Sequence, residues 1–171
     1  MVNVFGVIAT LFLKYKRRRY RKQVQKTAKK VGDGLKVNYK SKVNKNTILG
    51  HNVNFNGVII RGDGEVKIGN NFHSGPDILF LTRNHNYEGT KIPYDETYIR
   101  KKIVVEDNVW IGARCIIVGG ATIGEGAIIQ AGSVVIKDIP PCAIAGGHPA
   151  EPFKFRDKDH YFKLKEEKKF L

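Results

Sequence analysis

Histidine is the side chain best suited to moving protons near neutral pH, and this chain has five. Only one stands where a reaction has room. His85 lies in TRNHNYEG, flanked by Asn84 and Asn86, within the polar stretch TRNHNYEGTKIPYDETYIRKK. A loop imidazole can act as general base without a burial penalty; the plain alternative is a surface histidine. His51 and His73 read as turn residues on different levels of the structure. His148 in GGHPA and His160 in the basic tail read as structural or solvated. No His-x3-His pair is present, so a zinc ligand set has no support and no metal is expected. The phosphate loop, the dinucleotide fingerprint and the serine elbow are likewise missing. Cys115 and Cys142 make no disulfide framework and fit a reducing compartment.

The elements that must position His85 announce themselves by a period of six. Reading from Val105 gives VEDNVW, IGARCI, IVGGAT, IGEGAI, IQAGSV and VIKDIP. The first positions, Val105, Ile111, Ile117, Ile123, Ile129 and Val135, are all aliphatic. The fifth, Val109, Cys115, Ala121, Ala127, Ser133 and Ile139, are mostly small. Helices repeat at about 3.6 residues and strands at 2, so neither fits. A solenoid does: each hexapeptide is a short strand plus a turn, and three make a triangular coil. The first position then points inward and stacks on its counterpart about 18 residues away, with coils about 4.8 Å apart. Gly and Asn supply the left-handed conformations of the corners.

The same spacing links Val37, Val43, Leu49 and Phe55, with Ser41, Thr47, Val53 and Ile59 as fifth positions. The phase slips by one through RGDGEVK and resumes at Ile68 and Ser74. It breaks after Phe80 until Ile103, which makes 82–102 an extruded loop on a rigid scaffold, the usual place for function. The chain therefore divides into an N-terminal segment 1–36, a β-helix 37–150 and a tail 151–171 that predicts a short helix over the exposed coil end.

A net charge of +14 suggests nucleic acid until it is located. Residues 1–45 carry 14 basic side chains and one acidic, while the main body is balanced. The head MVNVFGVIATLFL precedes KYKRRRYRK. Val2 to Leu13 is too short to cross a bilayer, which needs about 20 residues, and the charge follows the apolar run, unlike a signal peptide. Two readings stay open: a monotopic membrane contact through residues 1–30, or a helix packed on a neighbouring subunit. Nucleic-acid binding is not expected, because the apolar head has no part in it.

The segments TRNHNY, VEDNVWIGARCII and IGEGAIIQAGSVVIKDIPPCAIAGGHPAEPFKFR resemble the hexapeptide-repeat acyltransferases, closest to the maltose, galactoside and polysaccharide O-acetyltransferases. The resemblance runs from about Val37 to the end. It implies an all-β, left-handed parallel β-helix, acetyl-CoA as co-substrate, and a homotrimer with active sites at subunit interfaces. By position, His85 matches the family's catalytic histidine, a general base toward an acceptor hydroxyl. Trp110, Ala113, Ala131, Ile136, Lys137 and Lys154 match positions that line the CoA slot or meet its phosphates. Asn54 and Asp63 match sugar-contacting positions. Ala113 stands where relatives often carry Ser, and Glu151 where they often carry Arg. The expected activity is O-acetylation of a saccharide hydroxyl, in surface polysaccharide assembly at the cytoplasmic side of a membrane. An amino acid or antibiotic hydroxyl is the alternative acceptor, and a non-catalytic β-helical scaffold the alternative role.

Overall fold

The computed structural model of the protein describes residues 4–171. Its centre is a triangular prism of stacked coils whose three faces are parallel ladders. The first face holds strands Lys30–Val31, Thr47–Leu49, Val66–Ile68, Ile103–Val105 and Thr122–Ile123. The second holds Lys36–Tyr39, the first halves of Asn54–Arg61 and His73–Leu81, then Trp110–Ile111, Ile128–Ile129 and Ala143–Gly146. The third holds Lys42 beside Ile59, the second halves of the same two long strands, Ile116–Val118 and Val134–Val135. Lys30 pairs with Ile48 and Ile111 with Ile129, 18 residues apart in both cases, as three hexapeptides per coil require.

The repeat positions fill the interior. Val105, Ile111, Ile117, Ile123, Ile129 and Val135 are wholly buried, and so, to within 2% exposure, are all six fifth positions. Each aliphatic side chain so placed contributes about 1.5–3 kcal/mol of burial free energy. Phe55, Phe72 and Phe80 fill the wider early coils, with Phe55 and Phe72 edge to face at 5.9 Å. One corner is a column of left-handed asparagines, Asn52, Asn71 and Asn108, with φ of 53°, 52° and 60°. Asn tolerates that conformation, and here the amides form a ladder as well. Asn52 Nδ2 donates to Asn71 Oδ1 (3.1 Å) and Asn71 Nδ2 to Asn108 Oδ1 (2.9 Å).

Three expectations shift. The slip in phase has two parts. The chain turns one residue early at Gly57 (φ +93°), so that Val58 and Ile60 face inward and Ile59 out. RGDGEVK then inserts two residues, taking the pairing from Lys42 beside Ile59 to Thr47 beside Val66. The ladder also reaches back to Lys30, inside the segment expected to precede it. The tail caps the coils differently from a helix on their end. Strand Glu151–Phe155 runs antiparallel beside Ala143–Gly146 and covers that sheet edge, as an exposed edge demands. Helix α2, Lys158–Glu166, N-capped by Asp157, then turns back along the asparagine corner. There Tyr161 OH donates to Glu125 (2.8 Å) and accepts from Asn108 (2.9 Å), and Asn52 Nδ2 donates to the Leu171 carbonyl (2.8 Å). Burial in this niche pushes the Tyr161 phenol above its ordinary pKa.

Helix α1, Val4–Thr27, docks only by its last turns, where Val24 is buried and Tyr20 packs against the core. Lys29 N–H then donates to Thr47 O, joining the helix to the first face. Val7, Ile8, Leu11, Phe12 and Leu13 are all exposed.

Candidate active site

The loop expected at 82–102 is an ordered β-hairpin. Thr82 is the last residue held by the prism, its hydroxyl donating to Arg61 O (2.9 Å) and accepting from Gly64 N–H (3.1 Å). Arg83–His85 then pairs antiparallel with Tyr98–Arg100, and Lys101 N–H donates to Thr82 O on the way back. The hairpin leaves the corner between the third and first faces. Two carboxylates set its shape. Asp63 holds the base, accepting from Arg100 Nε at 2.8 Å with Arg83 at 3.6 Å, and the Arg100 hydrogen bond lowers its pKa. Asp95, buried in the turn, accepts from the Thr97 hydroxyl, the Thr97 amide (2.8 Å) and the Thr90 amide (3.1 Å). Gly89 lies so close that a Cβ there would meet the Asp95 carboxylate at 2.0 Å.

His85 stands on this frame with its ring stacked on Tyr94 (centroids 3.9 Å apart, 22° between planes) and tilted against Tyr98 (4.8 Å). The Arg83 guanidinium also lies over the Tyr98 ring, 4.1 Å from its centroid. The imidazole is thus exposed yet held by rings on a rigid ribbon. It borders a groove of about 700 Å³ that runs past Tyr98 and Ile59 to Lys42 and Lys40 in the first coil.

Asp95 tests whether hairpin shape matters to function. Hydrogen bonds from the Thr97 side chain, then from the Thr97 and Thr90 amides, lower its pKa below the ordinary 3.8. The ionised form is therefore the braced one: its contribution is complete above the ordinary value and is lost as pH falls through the lowered one. Asp95→Ala is expected to cut turnover on the order of 10²-fold, since small misplacements of a reacting group cost that much. The melting temperature of the prism should hardly move, because the hairpin lies outside the core. Unchanged turnover would show that the hairpin tolerates a loose tip.

The other residues expected at a site gather elsewhere. Trp110 lies exposed on the second face, between His73 and Ile128 in neighbouring coils. Ala113 and Ala131 share the corner between the second and third faces, where Gly132 N–H donates to Ala113 O (2.8 Å). A Cβ on Gly112 would meet Ala131 N at 2.5 Å, so the coils stack there backbone on backbone, leaving a low, smooth wall. Ile136 and Lys137 follow the third face, with Lys137 paired to Glu151 (2.6 Å). Glu151, noted as a departure from the family pattern, thus pairs with the nearby lysine. Lys154 lies exposed on the edge strand opposite Ile144. Asn54 accepts from Asn38 Nδ2 (3.1 Å) on the second face, while Asp63 is committed to the hairpin base. His85 and the Ala113–Ala131 wall therefore occupy different edges of one prism.

One histidine departs from the bland reading. His73 is half-buried with Nε2 shielded and unpartnered, and burial lowers its pKa, with Lys36 adding to the effect. It lines a second cavity of about 620 Å³ with Ser74, Trp110 and Tyr161 beneath the tail. Sequence spacing could not reveal this, because the cavity's roof comes from helix α2. His51 is the turn residue expected, accepting from Asp33 N–H (3.1 Å), and His148 contacts the Gly132 carbonyl.

A solenoid of hexapeptides with a histidine-bearing hairpin and a wall of small residues defines a class, and comparison with known proteins agrees. Residues 102–137 match the family described as bacterial transferase hexapeptide (six repeats). A Vibrio cholerae hexapeptide-repeat acetyltransferase superposes with a TM-score of 0.66, 30% identical over 81% of this chain and 79% of that one. A galactoside acetyltransferase solved in complex with coenzyme A gives 0.70, at 27% identity over 86% of this chain and 84% of that one. The galactoside O-acetyltransferase of Escherichia coli is 37% identical over 69% of this chain and 60% of its own length. This chain belongs to the hexapeptide-repeat acyltransferase family, and its prism is the left-handed parallel β-helix of that family. It spans about half the length of the curated relatives it matches.

Proposed function

We propose that this protein is an acetyl-CoA-dependent O-acetyltransferase that modifies a saccharide hydroxyl. The observation that carries the reading is His85, fixed by Tyr94 and Tyr98 at the border of a groove large enough for a sugar. Galactoside O-acetyltransferases among the relatives, and the coenzyme A of the solved neighbour, point the same way. A sugar hydroxyl is barely acidic, so its oxygen needs to lose its proton as it attacks the thioester carbonyl. Neutral His85 takes that proton, and the imidazolium returns one to the departing CoA thiolate. The acetyl group passes directly to the sugar oxygen, and no acyl-enzyme forms. Backbone N–H groups at the corners offer donors for the tetrahedral oxyanion.

For the pantetheine arm the residues fit: Ala113, Ala131 and Gly132 make the low wall, and exposed Trp110 and Ile136 give apolar contact. Lys154, which enters none of the ion pairs among the described residues, is the cation for its phosphates, and Lys137 joins it only by giving up its pairing with Glu151. Because His85 lies on another edge, a second copy completes each site, and the protein works as a homotrimer. Acceptor-dependent release of free CoA thiol, screened over simple sugars and glycan fragments, tests the activity. Release with amino acids or chloramphenicol instead of sugars would move the acceptor class.

Helix α1 brings this enzyme to a membrane, on the cytoplasmic side where surface polysaccharide is assembled. Among the described residues no helix is long and apolar enough to cross a bilayer. The apolar and basic residues of α1 are segregated along its axis, and VFGVIATLFLKYKRRRYRKQVQKT contains no acid. Residues 4–13 would reach about 15 Å, half the hydrocarbon thickness, placing the cationic part among the headgroups. The full chain is expected to sediment with phosphatidylglycerol vesicles and not with phosphatidylcholine vesicles. Replacing Arg17, Arg18, Arg19 and Arg21 together by Gln should weaken that binding by several hundredfold, at about 1 kcal/mol per basic residue. Unchanged sedimentation would assign α1 to a protein partner.

A further inference from the structure

The groove beside His85 carries charge of one sign. Its walls present Lys40 and Lys42 from the first coil, Arg61 from the second and Arg83 from the hairpin base, and no Asp or Glu lines it. Arg83 is already engaged by Asp63 and by the Tyr98 ring. Lys40, Lys42 and Arg61 are exposed and enter none of the ion pairs among the described residues. The ladder aligns them. Lys42 lies beside Ile59, two residues before Arg61, and Arg61 lies beside Leu81, two residues before Arg83. With coils about 4.8 Å apart, the free cations lie one and two coils below the hairpin that holds His85. Between them the phase slip at Gly57 turns Ile59 outward, giving the groove an apolar floor.

We infer that the acceptor is an anionic saccharide, whose carboxylate or phosphate lies against Lys40, Lys42 and Arg61 while one of its hydroxyls meets His85. The inference rests on the acetyl-transfer reading above and narrows its substrate. A neutral sugar filling this groove offers these cations hydroxyl oxygens alone, with no charge to pair against theirs. A carboxylate or phosphate accepts charge-assisted hydrogen bonds from them, and a guanidinium such as that of Arg61 can bind either in bidentate fashion. The Ile59 floor and the Tyr98 edge suit the C–H face of a pyranose ring.

The test compares glucose, glucuronic acid and glucose 1-phosphate as acceptors for the wild type and for the triple variant Lys40→Gln, Lys42→Gln, Arg61→Gln. Binding of the same three sugars without acetyl-CoA, followed by ligand-observed NMR, gives a readout independent of turnover. Calorimetric titration with CoA completes the set. For the wild type we expect kcat/KM for a charged sugar to exceed that for glucose by about tenfold or more at low salt, the scale of two or three charge-assisted contacts. The triple variant should lose that preference while binding CoA as the wild type does; the three side chains are exposed, so folding is not at issue. Equal binding and use of glucose overturns the inference. So does a triple variant that loses CoA affinity and keeps its sugar preference, which would give the cations to the phosphates of CoA. Preferential binding of the anionic sugars with no turnover on any of them supports the anionic seat and overturns only the transfer reading.

Discussion

His85→Ala should lower acceptor-dependent turnover by about 10²–10⁴-fold, the range that positioned general-base catalysis supplies. The loss should fall on kcat and leave CoA binding in place, because the wall residues proposed for pantetheine lie on a different edge of the prism. Folding should be untouched: the imidazole is exposed, and its contacts are with Tyr94 and Tyr98 of the same hairpin. His85→Gln is the sharper variant, since it keeps a polar planar group between the rings but no base. A purified variant retaining more than about a tenth of wild-type turnover would remove His85 from proton transfer, given the magnitude expected of a base. Stopped or single-turnover thiol release should show the same deficit, which would exclude a change in product release as its origin.

The second large effect is a recovery. The wall variant Ala131→Trp fills the groove at the small-residue corner and should be inactive for want of CoA binding; His85→Ala should be inactive for want of a base. Co-expressed and mixed within one trimer, they should regain activity. In the proposed trimer a site takes its hairpin from one copy and its wall from the neighbour, so random assembly would leave about a quarter of sites intact, as expected of a heterologous ring interface. Mixing the two pure variants after assembly should restore nothing until the subunits exchange. If co-expressed mixtures stay as inactive as the parents while forming mixed trimers, each active site lies within a single chain.

The prism was legible because its signal is redundant. Six aliphatic first positions from Val105 to Val135 must all face one way, and an interior where an unpaired polar group is costly enforces the period. The place of His85 on an excursion from the prism was legible for the opposite reason: it stands where that period stops. Less readable were features decided by contacts between coils. Ile59 keeps the period of six, yet Gly57 turns one residue early and sends it outward, because a positive φ is set by backbone geometry that hydrophobic spacing does not record. Asp63 matches a sugar-contacting position, but the structure gives its carboxylate to Arg100 and Arg83, partners remote in sequence. His73 looked bland because part of the cavity it lines, Tyr161 included, arrives from the far end of the chain.

That returning tail has a mechanical meaning. A stack of coils is nearly one-dimensional, each coil touching only its neighbours, and such a stack peels from its free end. Here the last strand folds over its own edge, and the segment after it reaches back through Tyr161 at Asn108 and Leu171 at Asn52, fastening late coils to the second. The final coil cannot lift away without first releasing a strap anchored several levels below. The strap binds a row of separable units into one that yields as a whole.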